Sequence, residues 1–248
     1  MGKLELIPLV KLPIVWKGCD IGDLLIKSME NNKFNLRKND LIVIAHKIVS
    51  ISEGRIVKLS DVKISSKAKK ISKKTNKSAE IIQLIINESD KILKVEKDFI
   101  LTKDKNGIVA ANAGVDQSNL KDRNQALLLP KNPDKSAKEI SMKLSKKFKK
   151  LIPVIISDSV GRPWRNGLTQ IAIGSYGLKA LVKYSKDFHG NELFDTDVPV
   201  SDELSSAAGL LMIKDKGIPV VIIRGYNYIS NKRGAKGLIR PDNENVFI

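Results

Sequence analysis

A mixed α and β fold follows from three features of this sequence. Short runs of branched apolar residues recur along the chain, capped amphipathic segments fall between them, and 248 residues at 42% apolar content suffice to bury a sizeable core. That core would form one large catalytic unit or two intimate lobes across residues 1–248.

Taken in chain order, residues 20–30 read as a helix because Ile21, Leu24, Leu25 and Met29 fall on one face. Residues 41–45, LIVIA, are short, branched and apolar, as a buried strand requires. Ser78 can cap a helix bearing Ile81, Ile82, Ile85 and Ile86. A strand is predicted at residues 108–111. Ser136 and Glu139 stand at capping-box spacing ahead of Ile140, Leu144 and Phe148, which predicts a helix opening there. Residues 153–156 and 218–223 give two further strands, and Ser201 opens a helix with Leu204, Ala207, Ala208 and Leu211 inward. The polar loop at 118–124 and the segment at 230–245 are expected on the surface, with residues 230–248 mobile.

Composition narrows the function classes. No apolar run approaches the roughly 20 residues of a membrane-spanning helix, and the first dozen residues lack a signal peptide's pattern, so a soluble cytoplasmic protein with no membrane partner is expected. One Cys, Cys19, and two His leave no Cys/His set for structural zinc, so a metal would sit on oxygen ligands. The net charge of +17 suggests a nucleic-acid partner. Its distribution argues otherwise: Arg occurs eight times against 36 Lys, and the Lys clusters at 63–77 and 143–150 lie on amphipathic helices without aromatic residues to stack bases. Solvated helix faces account for them, and no specific nucleic-acid partner is expected.

Four polar segments end apolar runs: AHKIVSISEGR from Ala45, NAGVDQSN from Asn112, SDSVGRPWRNG from Ser157 and RGYN from Arg224. Loops at strand ends are where a scaffold commonly presents its chemistry. Asp116 and Asp158, on different loops beside Ser and Asn oxygens, suit a hard cation such as Mg2+ or Mn2+; the alternative is that each Asp caps a turn.

Together these segments and ELSSAAGLLM, from Glu203, resemble the coenzyme F420-0:L-glutamate ligase (F420:γ-glutamyl ligase) family in its single-domain form. The resemblance runs from Leu12-Pro13 to Arg224-Gly225. It implies an α+β mixed-sheet fold rather than a P-loop fold, usually as a homodimer; the sequence accordingly has no GxxxxGK[ST] element. It also implies GTP-dependent joining of L-glutamate to the terminal carboxylate of coenzyme F420-0 through an acyl phosphate, releasing GDP and phosphate. Asp116, Asp158 and Ser159 would hold two divalent ions, Mg2+ or Mn2+, with K+ a further candidate cofactor. Leu12, Pro13, Ile14, Val15, His46, Lys47, Asn119 and Lys214 would contact the nucleotide. Arg162 and Arg165, beside Asp158 in sequence, would grip phosphate or carboxylate in the two-pronged way that Lys cannot, and Lys47 would join them in catalysis. Trp164 is either a lid or loop packing, His46 also suits a strand-end filler, and Arg55 suits a structural ion pair slightly better than contact with a substrate carboxylate. Arg224 and Asn227 either border the pocket or form a turn.

Two departures from the family pattern stand out. Ile51 occupies the place of a Lys associated with nucleotide binding, and Ile213-Lys214 follow the LLM where a Gly and then Glu or Gln are common. Two other readings therefore remain beside the first: a related amide ligase with a different carboxylate acceptor, and a basic binding module without enzymatic activity.

Overall fold

Branched apolar runs too long to leave on a surface build the central sheet. The computed structural model describes residues 3–118, 120–194, 196–213 and 215–244. In chain order its elements are β1 (Glu5–Pro8), α1 (Ile21–Asn31), β2 (Leu41–Ala45), α2 (His46–Ser52), β3 (Ile56–Lys58), α3 (Ser66–Ser72), α4 (Ala79–Glu88), β4 (Ser89–Val95), β5 (Ile100–Asp104) and β6 (Val109–Ala111). There follow β7 (Gln125–Leu127), α5 (Pro133–Phe148), β8 (Val154–Arg162), β9 (Arg165–Tyr176), β10 (Val182–Lys183), β11 (Asp197–Val198), α6 (Val200–Gly209) and β12 (Val220–Arg224).

Five strands form the main sheet in the order β1-β12-β2-β8-β9, with only β2 and β8 parallel. This is the mixed sheet of an α+β fold. Helices cover both faces, which is why its inner strands are apolar at consecutive residues rather than alternating. Ile42, Ile44, Val154 and Ile156 face Leu25 and Met29 of α1 and Ile140 and Leu144 of α5. Leu41, Val43 and Ile155 face Leu204 and Ala208 of α6. A separate core joins α3 and α4 to the small sheets through Ala68, Ile82, Ile85, Ile100 and Ala126. Among the described residues, no helix is long and apolar enough to cross a membrane.

Local signals place several elements where the sequence predicts them. Asp20 accepts from Asp23 N at 3.0 Å and Ser78 caps α4. Three expectations need correction. α5 opens earlier than Ser136: Asn132 accepts from Lys135 N at 3.0 Å and Pro133 begins the helix with its φ already set, leaving the Ser136 hydroxyl to donate to Glu53. α6 begins at Val200, one residue before Ser201, which is buried. The strand predicted at 153–156 continues as β8 through the polar stretch to Arg162 and pairs with β9 as a long hairpin. Within the C-terminal segment, Ala235 is buried and donates its N–H to Asp134 at 2.8 Å.

One buried ion pair fastens β12 to the entrance of β2. The Asp40 side chain is fully buried and accepts from Arg37 N at 2.7 Å and from Arg224 Nε and Nη2 at 2.9 and 2.8 Å. Arg224 also lies 5.4 Å from the Phe34 ring centroid. Removing the cation would strand a buried charge. Arg224→Ala is therefore expected to cost about 3–5 kcal/mol in denaturant unfolding, whereas a loss under about 0.5 kcal/mol, the scale of an exposed pair, would show that the pair contributes little.

Candidate functional site

Parallel pairing brings the carboxyl ends of β2 and β8 to the same edge of the sheet. Their last paired residues are Ala45 and Ser157, so the next two residues, His46 and Asp158, come side by side. β2 turns at once into α2, while β8 continues outward as an arm of the hairpin. Crevices at the carboxyl ends of strands are where open sheets commonly bind ligands.

Such a crevice exists here, a cleft of about 370 Å³. Leu12, Pro13, Ile14 and Val15 line one side, joined by Ile51, Met212 and Ile213 as an apolar wall; Lys47, Ser118, Asp158, Ser159 and Gln170 supply the polar side. The cleft thus offers an apolar slot beside a charged end, the combination that a nucleotide's base and phosphates require. Ile51 falls on the apolar wall, so the departure from Lys adds hydrophobic surface and removes a cation.

Short contacts organise the polar side. His46 is buried, with Nε2 3.2 Å from Asp158 Oδ1 and Nδ1 3.2 Å from Ser50 Oγ one helical turn away. Asp158 Oδ1 also accepts from Ser159 N at 2.7 Å. Lys47 Nζ lies 2.6 Å from Asp116 Oδ2 and 2.7 Å from Ser118 Oγ. Asp116 accepts in turn from Ser118 N and Oγ at 2.7 and 2.8 Å, so the turn-capping reading of this residue is physically present alongside its pairing with a cation. Burial pushes the Asp116 carboxyl up, but hydrogen bonds from Lys47 and Ser118 and the charge of Lys47 more than offset it and hold the pKa below its ordinary 3.8.

Asp158, Ser159 and Asp116 offer hard oxygen donors, which fit Mg2+ or Mn2+. No cluster of three or more His, Cys, Asp or Glu able to hold a metal occurs among the described residues, so hydroxyl oxygens or the bound ligand would have to complete any coordination shell.

The structure does not bring every expected residue to the cleft. Arg162 and Arg165 face each other at the exposed tip of the hairpin. Four strand steps carry the chain from Asp158 to Arg162, roughly 13 Å at ~3.3 Å each. Asp116 stands behind the cleft wall, joined to it through Lys47 and Ser118, and neither Arg lines the cleft. Trp164, in the turn between them, takes the left-handed backbone region at φ 55°. Asn119 and Lys214 lie outside the described residues. Arg55 pairs with Glu88 and donates to Leu129 O, the structural role expected of it, and Asn227 accepts from Asn39. Ser118 lies in the NAGVDQSN stretch beside Asp116, whereas Ser50 and Gln170 have no sequence motif of their own. Ser50 follows His46 by four residues and was legible as a helical neighbour; Gln170 meets Ser159 only through the hairpin register.

Comparison with known proteins places this chain in a class of ligases. A family model described as F420-0:Gamma-glutamyl ligase matches residues 9–225, and the chain belongs to that family. Its relatives include the coenzyme F420:L-glutamate ligase of Methanocaldococcus jannaschii, 43% identical over 99% of this chain and 97% of the relative. Another is the Methanothermobacter thermautotrophicus protein of the same name, 40% identical over 98% of each chain. The Methanococcus maripaludis C6 protein so named is 42% identical over 87% of this chain and 88% of its own.

The Lys47–Asp116 pair yields a test. An ionised Asp116 with a depressed pKa stabilises the fold above the unfolded carboxyl's value and loses that contribution as pH falls through its lower folded value. In Lys47→Met the Asp116 carboxyl is expected to titrate higher than in wild type by carbon-13 NMR, and the stability gap between the two proteins should close as pH falls below 3.8. An unmoved carboxyl titration would show that Lys47 does not hold Asp116 ionised.

Proposed function

We propose that the chain joins L-glutamate to the terminal carboxylate of coenzyme F420-0 with GTP as the energy source. Carboxylate and amine do not condense unaided in water. A carboxylate oxygen of F420-0 would take the γ-phosphoryl group, giving an acyl phosphate and GDP. The glutamate amine would then attack the carbonyl carbon, phosphate would leave, and the nitrogen would lose a proton. Reactions of this kind depend mainly on positioning and charge neutralisation.

The observation that carries this reading is the meeting of two oxygen-bearing loops across one cleft, in a chain of this ligase family. Asp158 and Ser159 stand on one arm; Asp116 stands behind Lys47 on the other. Divalent Mg2+ or Mn2+ ions held by Asp116, Asp158 and Ser159 would neutralise phosphate oxygens. Lys47 would move from Asp116 to a phosphate, a short swing for a flexible ammonium, and His46 would keep Asp158 Oδ1 directed. The apolar wall from Leu12 to Val15 would take the base. Arg162 and Arg165 retain forked geometry suited to phosphate or carboxylate, and at the tip they would meet such a group on a large acceptor or in a homodimer. The exposed Trp164 and Leu168 on the same hairpin are surfaces a second copy would cover.

A related amide ligase with another acceptor is the second reading, favoured by Ile51 on the cleft wall where the family pattern expects a Lys. Incubation with F420-0, glutamate, GTP and Mn2+ is expected to give a glutamyl mass increase. GTP cleavage with a different carboxylate and none with F420-0 would favour the second reading. Asp158→Asn is expected to remain folded and lose at least ~100-fold in turnover, the scale of a lost preorganised electrostatic partner. Full activity of that variant would show that Asp158 is only a turn residue.

A further inference from the structure

We propose that Gln170 is a positioning residue for the Ser159 hydroxyl, and that Ser206 and Gly209 of α6 hold Gln170 in place for that task. The inference rests on the reading that Ser159 faces the bound metal and nucleotide.

Ser159 and Gln170 are direct partners in the β8–β9 register, so their side chains share a face. Gln170 Nε2 donates to Ser159 Oγ at 2.7 Å. A serine on a projecting arm has three staggered rotamers available. The amide selects one and occupies one lone pair, leaving the other lone pair and the O–H in fixed directions at the cleft wall. Were the amide turned over, its carbonyl would accept the serine proton and the hydroxyl would still be held.

α6 fastens Gln170 from the other side. The Ser206 hydroxyl donates to the Gln170 main-chain oxygen at 2.8 Å and lies 2.9 Å from Thr169 Oγ1. At Gly209 a Cβ would stand 2.7 Å from Gln170 Cγ, so glycine there leaves room for the side-chain stem. The ELSSAAG stretch thereby acquires a task beyond packing: one serine ties the strand, and one glycine admits the glutamine. Packing alone does not explain the choice of residue. Among the described residues Gln170 Oε1 is buried without a partner, a desolvation penalty that a leucine of similar volume would avoid.

The test is a double-mutant cycle read by Mn2+ calorimetry in the presence of GDP, with melting temperatures alongside. Ser159→Ala and Gln170→Leu are each expected to weaken Mn2+ by ~10-fold, the lower end for losing a group that orients a ligand. The double variant should be no weaker than Ser159→Ala alone, because the glutamine acts through the serine. Gly209→Ala supplies a second probe with the amide still present: it should weaken Mn2+ in wild type and have no effect in the Ser159→Ala background. Losses that multiply in the double variant, or a silent Gln170→Leu beside an impaired Ser159→Ala, would overturn the proposal alone. A silent Ser159→Ala would overturn the metal-facing reading of Ser159, and the proposal with it.

Discussion

The parallel pairing of β2 with β8 is the constraint from which the cleft follows. Ile42, Val43, Ile44, Val154, Ile155 and Ile156 are fully buried, each burial worth about 1.5–3 kcal/mol relative to exposure. Helices on both faces make that stretch intolerant of polar residues. Polar chemistry begins where the pairing ends, and the register decides which residues meet there: Ala45 opposite Ser157 puts His46 beside Asp158. The hydrophobic core thus sets a contact between two polar side chains over a hundred positions apart in sequence.

Charge at the site is local even though the chain carries +17. Most Lys residues lie on solvated faces such as that of α5, where Lys143 and Lys147 pair with acidic residues of α1. At the cleft, among the described residues, Lys47 stands against Asp116, and it does so from the first turn of a short helix that buries His46, Ile48, Val49 and Ser50. An ammonium resting on a carboxylate keeps both charged in a partly buried place. Under the proposed function it would also give an incoming anion and its counter-cations matched partners to exchange with.

Much of the fold was legible because its signals are local. Asp20 and Ser78 cap helices through side chains three residues from their targets, and the apolar runs of β2 and β12 leave little choice but burial. The hairpin arm was not legible as strand. Beyond Ser157 burial fades from partial at residues 158–160 to exposure at Gly161 and Arg162, so SDSVGR shows no alternation and reads as loop, although its backbone pairs with β9 between two register shifts. Asn132 outcompeted Ser136 as the cap of α5 because Pro133 beside it fits only the first turn. At the site, the paired Asp segments and Lys47 could be picked out by type and by likeness to the family. Gln170, the partner of Ser159, carries no motif, Ser50 is visible only as the helical neighbour of His46, and Arg162 and Arg165 lie close to Asp158 in sequence while extended backbone carries them away from it.

The central claim is that the ends of these two strands form a cation-dependent nucleotide site. A crystal of the protein grown with Mn2+ and GDP, with anomalous differences collected at the manganese edge, tests it most directly. The account expects a peak within coordinating distance, about 2.0–2.4 Å, of oxygens from Asp158 or Ser159, with Lys47 Nζ moved off Asp116 onto phosphate. Nucleotide bound elsewhere, or bound in this cleft with no manganese near those oxygens and Lys47 still on Asp116, would contradict it.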